Sequence, residues 1–586
     1  MIINRLKEGI GVSHRDENRN VVRNVVSYDT FQPHFYVKKQ DVPEEFIGAD
    51  FSIPIEDSYG KTNLSVRYNA TSSLPSVPQY SSLEKEPLVK VTWKPSNPTY
   101  TRRVRKWFEV QDIDTYEADV KIHHKFAVQT YNTEFGKTIG QQWVEAKDHR
   151  RMYWDMEWQQ GGEYNGQITC ISAYDSYDEE YYCWLWRPIE NNESDVSSRV
   201  GELEGYLGYE LREFNDEMIM LADFMSFILE KDPDMLISWF GWKFDLPKLL
   251  ERITAHNMDA RLLSPFNEVD GISWRKGEFL FSEQNTSAIS QPIKGRITVP
   301  LDMVFERKWN DAQLGTLPSM ALDYVSETIL GEKKLVSDKF PDKDEFFARG
   351  WLEDTQTYCD YAVVDVKLLV DIDKKFHATD SVIALQNILM APFDACFYAS
   401  HMGGIYFMRN ARWKAPTGKK GDRRSYDGAM VYNPLSEATN GLHENVAAFD
   451  FSALYPSMII ARNISFETIS EEPTEFAVNI KTPKDFSPVV EEEMRYFKTD
   501  ELGVLPRALL DLQNLRNEYK GLMKKEPDNY DMWNNNQLAV KRLSASFYGI
   551  LAFQGFGWSN VDLAESITAS AREAIREAAR IAKEMS

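Results

Sequence analysis

A multidomain chain of mixed α+β and α/β class is predicted by three observations. Residues 1 to about 145 alternate short apolar runs with clusters of Pro, Asn, Ser and Gly, the pattern of a strand-rich domain. Between 151 and 376, two apolar strand patterns meet acids and a long helical pattern carries another. Residues 505–549 hold two amphipathic helical patterns parted by Glu526-Pro-Asp-Asn. At 586 residues, there is room for several separate cores.

Composition narrows the classes. With 67 basic and 90 acidic residues the formal charge is −23, which excludes a protein that coats nucleic acid by bulk attraction. Any grip on a polyanion must come from local patches, and residues 409–424 form one, with Arg409, Arg412, Lys414, Lys419, Lys420, Arg423 and Arg424 opposed only by Asp422. A solvated loop is the plainer use of such a run. Cys170, Cys183, Cys359 and Cys396 show no C-x-x-C spacing, so neither a zinc site nor a disulfide framework is indicated. The N-terminus has no apolar signal region and no run is long enough to span a bilayer, so a soluble, cytoplasmic protein is expected.

In chain order, Gln32-Pro-His-Phe-Tyr-Val37 reads as a strand and residues 72–82, rich in Ser and Pro, as a loop. Arg151-Met-Tyr-Trp-Asp-Met-Glu-Trp158 reads as a strand whose period of two sends Asp155 and Glu157 to one face. Asp234 to Asp245 is an apolar strand ending in an acid before a helix start, and residues 354–376 form a helix with Tyr361 and Asp365 at i and i+4. Residues 275–296 read as a hairpin or long loop. Any one of these acids alone suits a surface. Four acids from two strands and a helix, plus a tyrosine, suit two-metal phosphodiester hydrolysis, in which Tyr361 orients the nucleophile.

Val446 to Asp450 reads as a buried strand stopping at a carboxylate, and Ser452-Ala-Leu-Tyr-Pro456 as a turn opening a helix with Pro in its first turn. Asp450 is then either a helix cap or part of a metal and phosphate site. In the helical hairpin, Arg516 lies about 12 residues before the turn and Lys541 about 13 after it, some 18–20 Å from the tip, with Lys520 one turn from Arg516. Three cations at one level call for an anion, and a nucleoside triphosphate fits. Basic residues on a solvated helix are the plainer reading.

Asp450-Phe-Ser-Ala-Leu-Tyr-Pro-Ser-Met-Ile459 closely resembles motif A of family B DNA polymerases, and Asn463-Ile-Ser-Phe-Glu-Thr-Ile469 is similar to its continuation in tailed-phage replicative members. Asp-x-Glu, Phe-Asp and Tyr-x-x-x-Asp, in that order, resemble the family's three exonuclease motifs. Tyr426-Asp-Gly428 is similar to its Tyr-x-Gly linker. Arg516-x-x-x-Lys520 and Lys541-x-x-x-x-Ser-x-Tyr-Gly549 resemble the fingers, the latter being motif B.

The resemblance implies a strand-rich N-terminal domain (1–145) and an RNase H-like 3′–5′ exonuclease domain (146–380). After these would come a linker with the basic patch (381–430), a partial palm (431–500), α-helical hairpin fingers (501–555) and a returning palm helix (556–586). It implies proofreading with two Mg2+ per active site, Mn2+ substituting, held by Asp155, Glu157, Asp245 and Asp365 in one site and by Asp450 with the Phe451 carbonyl in the other. Ser452, Ala453, Leu454, Tyr455, Arg516, Lys520 and Lys541 would bind the dNTP, with Tyr455 excluding a 2′-hydroxyl. Tyr426, Gly428, Tyr548 and Gly549 would touch primer–template DNA.

Two departures stand out. Ala545 replaces the Asn usual in motif B, and no Asp-Thr-Asp of motif C follows Gly549. A split or truncated enzyme is therefore expected, completed by a second subunit carrying motif C and thumb, docked on the stripe Leu563, Ile567, Ile575 and Ile581, and working with a sliding clamp in the cytoplasm of a host. The rival readings are a stand-alone 3′–5′ exonuclease using residues 146–380 and a non-catalytic DNA-binding or assembly subunit.

Overall fold

The computed structural model describes residues 1–57, 60–69, 80–130, 142–146, 148–188, 208–282, 291–312, 314–418, 424–430, 444, 446–447, 450–553 and 555–585. The chain forms two compact units, Met1–Ser27 with Gly140–Ala395, and Tyr28–Ile139 with Cys396–Ser586. The contiguous 1–145 domain read from sequence is thus divided between them.

The first unit is built on a six-stranded mixed sheet. Its strands run in the spatial order Glu210–Phe214, Glu180–Trp186, Ile168–Asp175, Arg151–Trp158, Met235–Ser238, Ile297–Pro300. Arg151–Trp158 pairs antiparallel with Ile168–Asp175 and parallel with Met235–Ser238, which pairs parallel with Ile297–Pro300. Both faces are covered, as the nearly continuous apolar strands require. Trp184 on one face packs edge-on to Phe224 and Phe227 of helix Glu217–Lys231, with ring centroids 5.1 and 4.9 Å away. Each fully buried side chain of that size contributes about 2–3 kcal/mol.

The other face carries helix Thr355–Phe376: the Tyr153 hydroxyl donates to Asp373 at 2.6 Å and the Ser172 hydroxyl to the Ala362 carbonyl at 2.7 Å. Because strand side chains alternate, Asp155 and Glu157 share the face of Tyr153 and so look toward that helix. A hairpin, Ile272–Arg275 with Glu278–Phe281, overlaps only the start of the segment expected at 275–296, of which residues 283–290 lie outside the described residues.

In the second unit a sheet of Asp50–Asp57, Gly60–Asn69, Pro87–Lys94, His34–Lys38 and Thr115–Tyr116 encloses Phe35, Val66, Trp93 and Phe108, giving the strand-rich element its core. The loop read at 72–82 lies, for 72–79, outside the described residues, and Tyr80–Ser81 pairs with the start of strand Pro87–Lys94. The helical hairpin is Val504–Lys525 and Tyr530–Leu551, broken at Pro527–Asn529 where proline cannot continue the ladder.

Two expectations fail here. Val446, Ala447 and Asp450 belong to no regular element, with 448 and 449 outside the described residues. No described strand pairs with them, and a strand exists only with a ladder partner. The apolar stripe of helix Val561–Met585 is not open along its length: Leu563 and Ile567 are buried within the unit, and of the four only Ile581 is exposed.

Candidate functional site

The first unit gathers its acids on the helix-covered face and at the ends of parallel strands. Carboxylate oxygens of Asp155, Glu157 and Asp365 lie within 4.8 Å of one another. Asp365 is fully buried on its helix, while Asp155 and Glu157 stay partly open. Asp245, 5% exposed, begins helix Asp245–Ala255 just beyond strand Met235–Ser238.

Electrostatics bind the four together. Burial, then the charges of Asp245, Glu157 and Asp365, hold the Asp155 carboxyl well above its ordinary range. Burial and the Asp365 charge push Glu157 up to about 8. Burial pushes Asp245 up to about 7 against a hydrogen bond from Ser238. So many close acids cannot all ionise without a cation.

One cation is supplied by the chain. The Lys334 ammonium donates to Asp365 at 2.5 Å and to the Tyr361 hydroxyl at 3.1 Å. Burial opposes its charge, but Asp365, Tyr361, Asp155 and Glu157 outweigh that and hold it firmly protonated. It follows helix Leu322–Leu330, which stops at Gly331 with φ 77°, the left-handed cap that favours glycine. Sequence reasoning gave Lys334 no role. The available signal was indirect, in that four converging acids need a basic neighbour.

The donor set suits divalent metal: hard carboxylate oxygens, with Asp245 Oδ2 and Asp365 Oδ1 buried and lacking a hydrogen-bond donor among the described residues.

In the second unit Asp450, Phe451, Ser452 and Ala453 are exposed, so the buried carboxylate expected at 450 is not found. Ala453 has φ 52°, a strained turn before helix Leu454–Ala461, with Leu454 and Tyr455 half-buried. The Tyr455 ring lies 4.4 Å from that of Tyr548, whose hydroxyl is 3.3 Å from that of Tyr426. Arg572, fully buried, donates to the carbonyls of Asp427 and Gly428, each at 2.7 Å, and so fixes the Tyr426–Gly428 segment. A methyl group at Gly428 or Gly549 would meet nothing within 4 Å.

The two long helices bring the three hairpin cations near one another. Repulsion from Arg516, then burial and Lys541, lowers the Lys520 pKa. Arg516 Nε donates to Gln537 Oε1 at 3.1 Å, and among the described residues no carboxylate pairs with any of the three. Three basic residues of the 409–424 patch have partners within the unit. Arg409 is tied to the Ala127 carbonyl, Lys414 pairs with Glu117 under Tyr36 and Tyr80, and Arg424 pairs with Asp562 and Glu565. These three charges are engaged internally. Arg412 is exposed, and 419, 420 and 423 lie outside the described residues.

Comparison with known proteins defines the class. Residues 103–325 match the family model for DNA polymerase family B, exonuclease domain, and residues 404–586 match that for DNA polymerase family B. The chain belongs to DNA polymerase family B.

Among its relatives, a DNA polymerase of Pyrococcus glycovorans is 29% identical over 382 residues, covering 62% of this chain and 44% of that protein. The DNA polymerase of Thermococcus gorgonarius is 28% identical over 379 residues, covering 62% and 44%. The DNA polymerase delta catalytic subunit of Caenorhabditis elegans is 26% identical over 399 residues, covering 64% and 34%. The matched part thus spans less than half the length of these relatives. Among the described residues no helix is long and apolar enough to cross a membrane.

Proposed function

We propose that the first unit is a 3′–5′ exonuclease acting on DNA, and that the second holds the dNTP-binding part of a replicative DNA polymerase. The observation carrying the first half is the convergence of Asp155, Glu157 and Asp365 within 4.8 Å beside Tyr361 and Lys334.

Two divalent cations, Mg2+ or Mn2+, when bound, would activate a water and stabilise the leaving 3′ oxygen. Asp155, Glu157, Asp245 and Asp365 would hold them. Tyr361, whose hydroxyl lies beside this carboxylate cluster, would orient the attacking water. Lys334, the charge already on Asp365, would neutralise the phosphate as it gains charge.

In the second unit Asp450 and the Phe451 carbonyl would face metal, and the Ser452–Leu454 turn with Arg516, Lys520 and Lys541 would hold the triphosphate. Tyr455 against Tyr548 would form the wall that leaves no room for a 2′-hydroxyl, and Tyr426, Gly428, Tyr548 and Gly549 would meet primer–template DNA. The boundaries follow as proposed: exonuclease 146–380, palm 431–500, fingers 501–555. Motif A and its Asn463–Ile469 continuation favour a tailed-phage type of replicase.

A polymerase site needs a second palm carboxylate. We place it outside these 586 residues, in the same polypeptide or a companion that also supplies the thumb.

The test is digestion of single-stranded DNA labelled at either end. Wild-type protein with Mg2+ should shorten it from the 3′ end, and Asp155→Ala with Glu157→Ala should lower the rate by several orders of magnitude. Equal digestion by the double variant would refute the assignment.

A further inference from the structure

Three neighbouring parallel strands, Arg151–Trp158, Met235–Ser238 and Ile297–Pro300, each lead to an acid: Asp155 with Glu157, Asp245, and Asp302. The third has no place in the reading above. Ser238 and Pro300 are paired residues at the ends of adjacent strands, so the chain segments leaving them toward Asp245 and Asp302 start side by side. The Asp302 backbone N–H donates to the Trp239 carbonyl at 3.2 Å, which fixes where helix Leu301–Asp311 begins. In an open α/β sheet, the ends of parallel strands are where ligands bind.

We propose that Asp302 is a fifth carboxylate of this site and shares with Asp245 one of its two cations. The inference rests on the exonuclease reading and adds a ligand to it. Asp302 is 4% exposed and Asp245 5%. Asp245 Oδ2 and Asp302 Oδ1 are both buried without a hydrogen-bond donor among the described residues.

The plainer use of Asp302, an acid in the first turn of its helix, accounts for one contact with the Met303 N–H. Its other partner is the Lys243 ammonium, 3.4 Å from Oδ2 on a side chain 59% exposed, whose charge solvent largely screens. Neither reaches Oδ1. Two buried carboxylates in the first turns of the helices that follow adjacent strands, each with an oxygen that nothing among the described residues donates to, form the edge of a site for a hard cation.

The full chain, stripped of metal, should bind two Mn2+ ions when free Mn2+ is followed by electron paramagnetic resonance. Asp302→Asn keeps shape and removes charge. It should weaken the lower-affinity ion at least 10-fold while leaving the melting temperature of the metal-free protein near that of wild type. Asp302→Glu should restore binding of the second ion, and Lys243→Ala should not weaken it. Where Asp302→Asn does not fold, Asp302→Ser, which keeps a helix-start acceptor, serves the same comparison.

Two full-affinity ions in a folded Asp302 variant would overturn the inference and leave the exonuclease reading standing. A wild-type chain that binds no Mn2+ would overturn both.

Discussion

If the acids of the first unit hold metal as proposed, stripping it should make this unit less stable as pH rises, and adding Mg2+ should cancel the loss. Glu157 moves from its ordinary 4.5 to about 8 and Asp245 from 3.8 to about 7 on folding, both through burial and neighbouring acids. At about 1.4 kcal/mol per tenfold change in proton affinity, ionising either in the metal-free fold costs on the order of 4 kcal/mol.

The folded-state pKa lies above the unfolded one, so the folded state keeps protons that the unfolded chain has released. Stability is then full below about pH 4 and falls as pH rises toward about 8. The Asp245 charge itself raises Glu157, so the two ionisations are linked and the loss is at least one such cost, roughly 4 kcal/mol. A bound cation makes the ionised form the favoured one and reverses the slope.

The assay is amide hydrogen exchange in strand 151–158 and helix 355–376, from pH 5 to 8, with chelator and with saturating Mg2+. Local reporters are needed because two compact units do not guarantee one transition. Protection should fall with pH only in chelator, and Glu157→Gln should flatten that fall. A metal-free profile flat across this range, or a fall untouched by Mg2+, would refute the reasoning.

Three further outcomes are expected. Lys334→Met should lower the rate of single-strand digestion by about 10²-fold, in line with loss of one preorganised electrostatic group. It should also make the metal-free site harder to ionise, so an unchanged rate in single-turnover digestion would remove Lys334 from the site. In a reconstituted polymerase, Tyr455→Ala should raise ribonucleotide use relative to deoxyribonucleotide use at least 10-fold, and a fixed ratio in primer extension would count against the Tyr455–Tyr548 wall. These 586 residues alone should not extend a primer, and appreciable templated synthesis would mean that the second palm carboxylate lies within them.

Much of the first unit was legible because its signals are local. A period of two puts Asp155 and Glu157 on one face, and i, i+4 spacing puts Tyr361 with Asp365. The helical hairpin was legible to within a few residues, since Pro527 marks the break between two amphipathic patterns. What escaped depends on partners distant in sequence. Lys334 takes its place through Tyr361 and Asp365, 27 and 31 residues on. The patch charges Lys414 and Arg424 are cancelled by Glu117, Asp562 and Glu565, which no local pattern connects to them. Met1–Ser27 joins Gly140–Ala395 across more than a hundred intervening residues. The strand into Asp450 was read from apolar, β-branched character alone, and that character does not supply a pairing partner.

Asp155, Glu157, Asp245 and Asp365 are proposed to form a two-cation site. Anomalous diffraction from crystals soaked in Mn2+ tests it most directly. Two peaks within coordination distance of these carboxylates, with Lys334 moved from or kept at the edge of Asp365, are the predicted result. Absence of any peak there, with the Lys334 ammonium still bridging Asp365 and Tyr361, would contradict it.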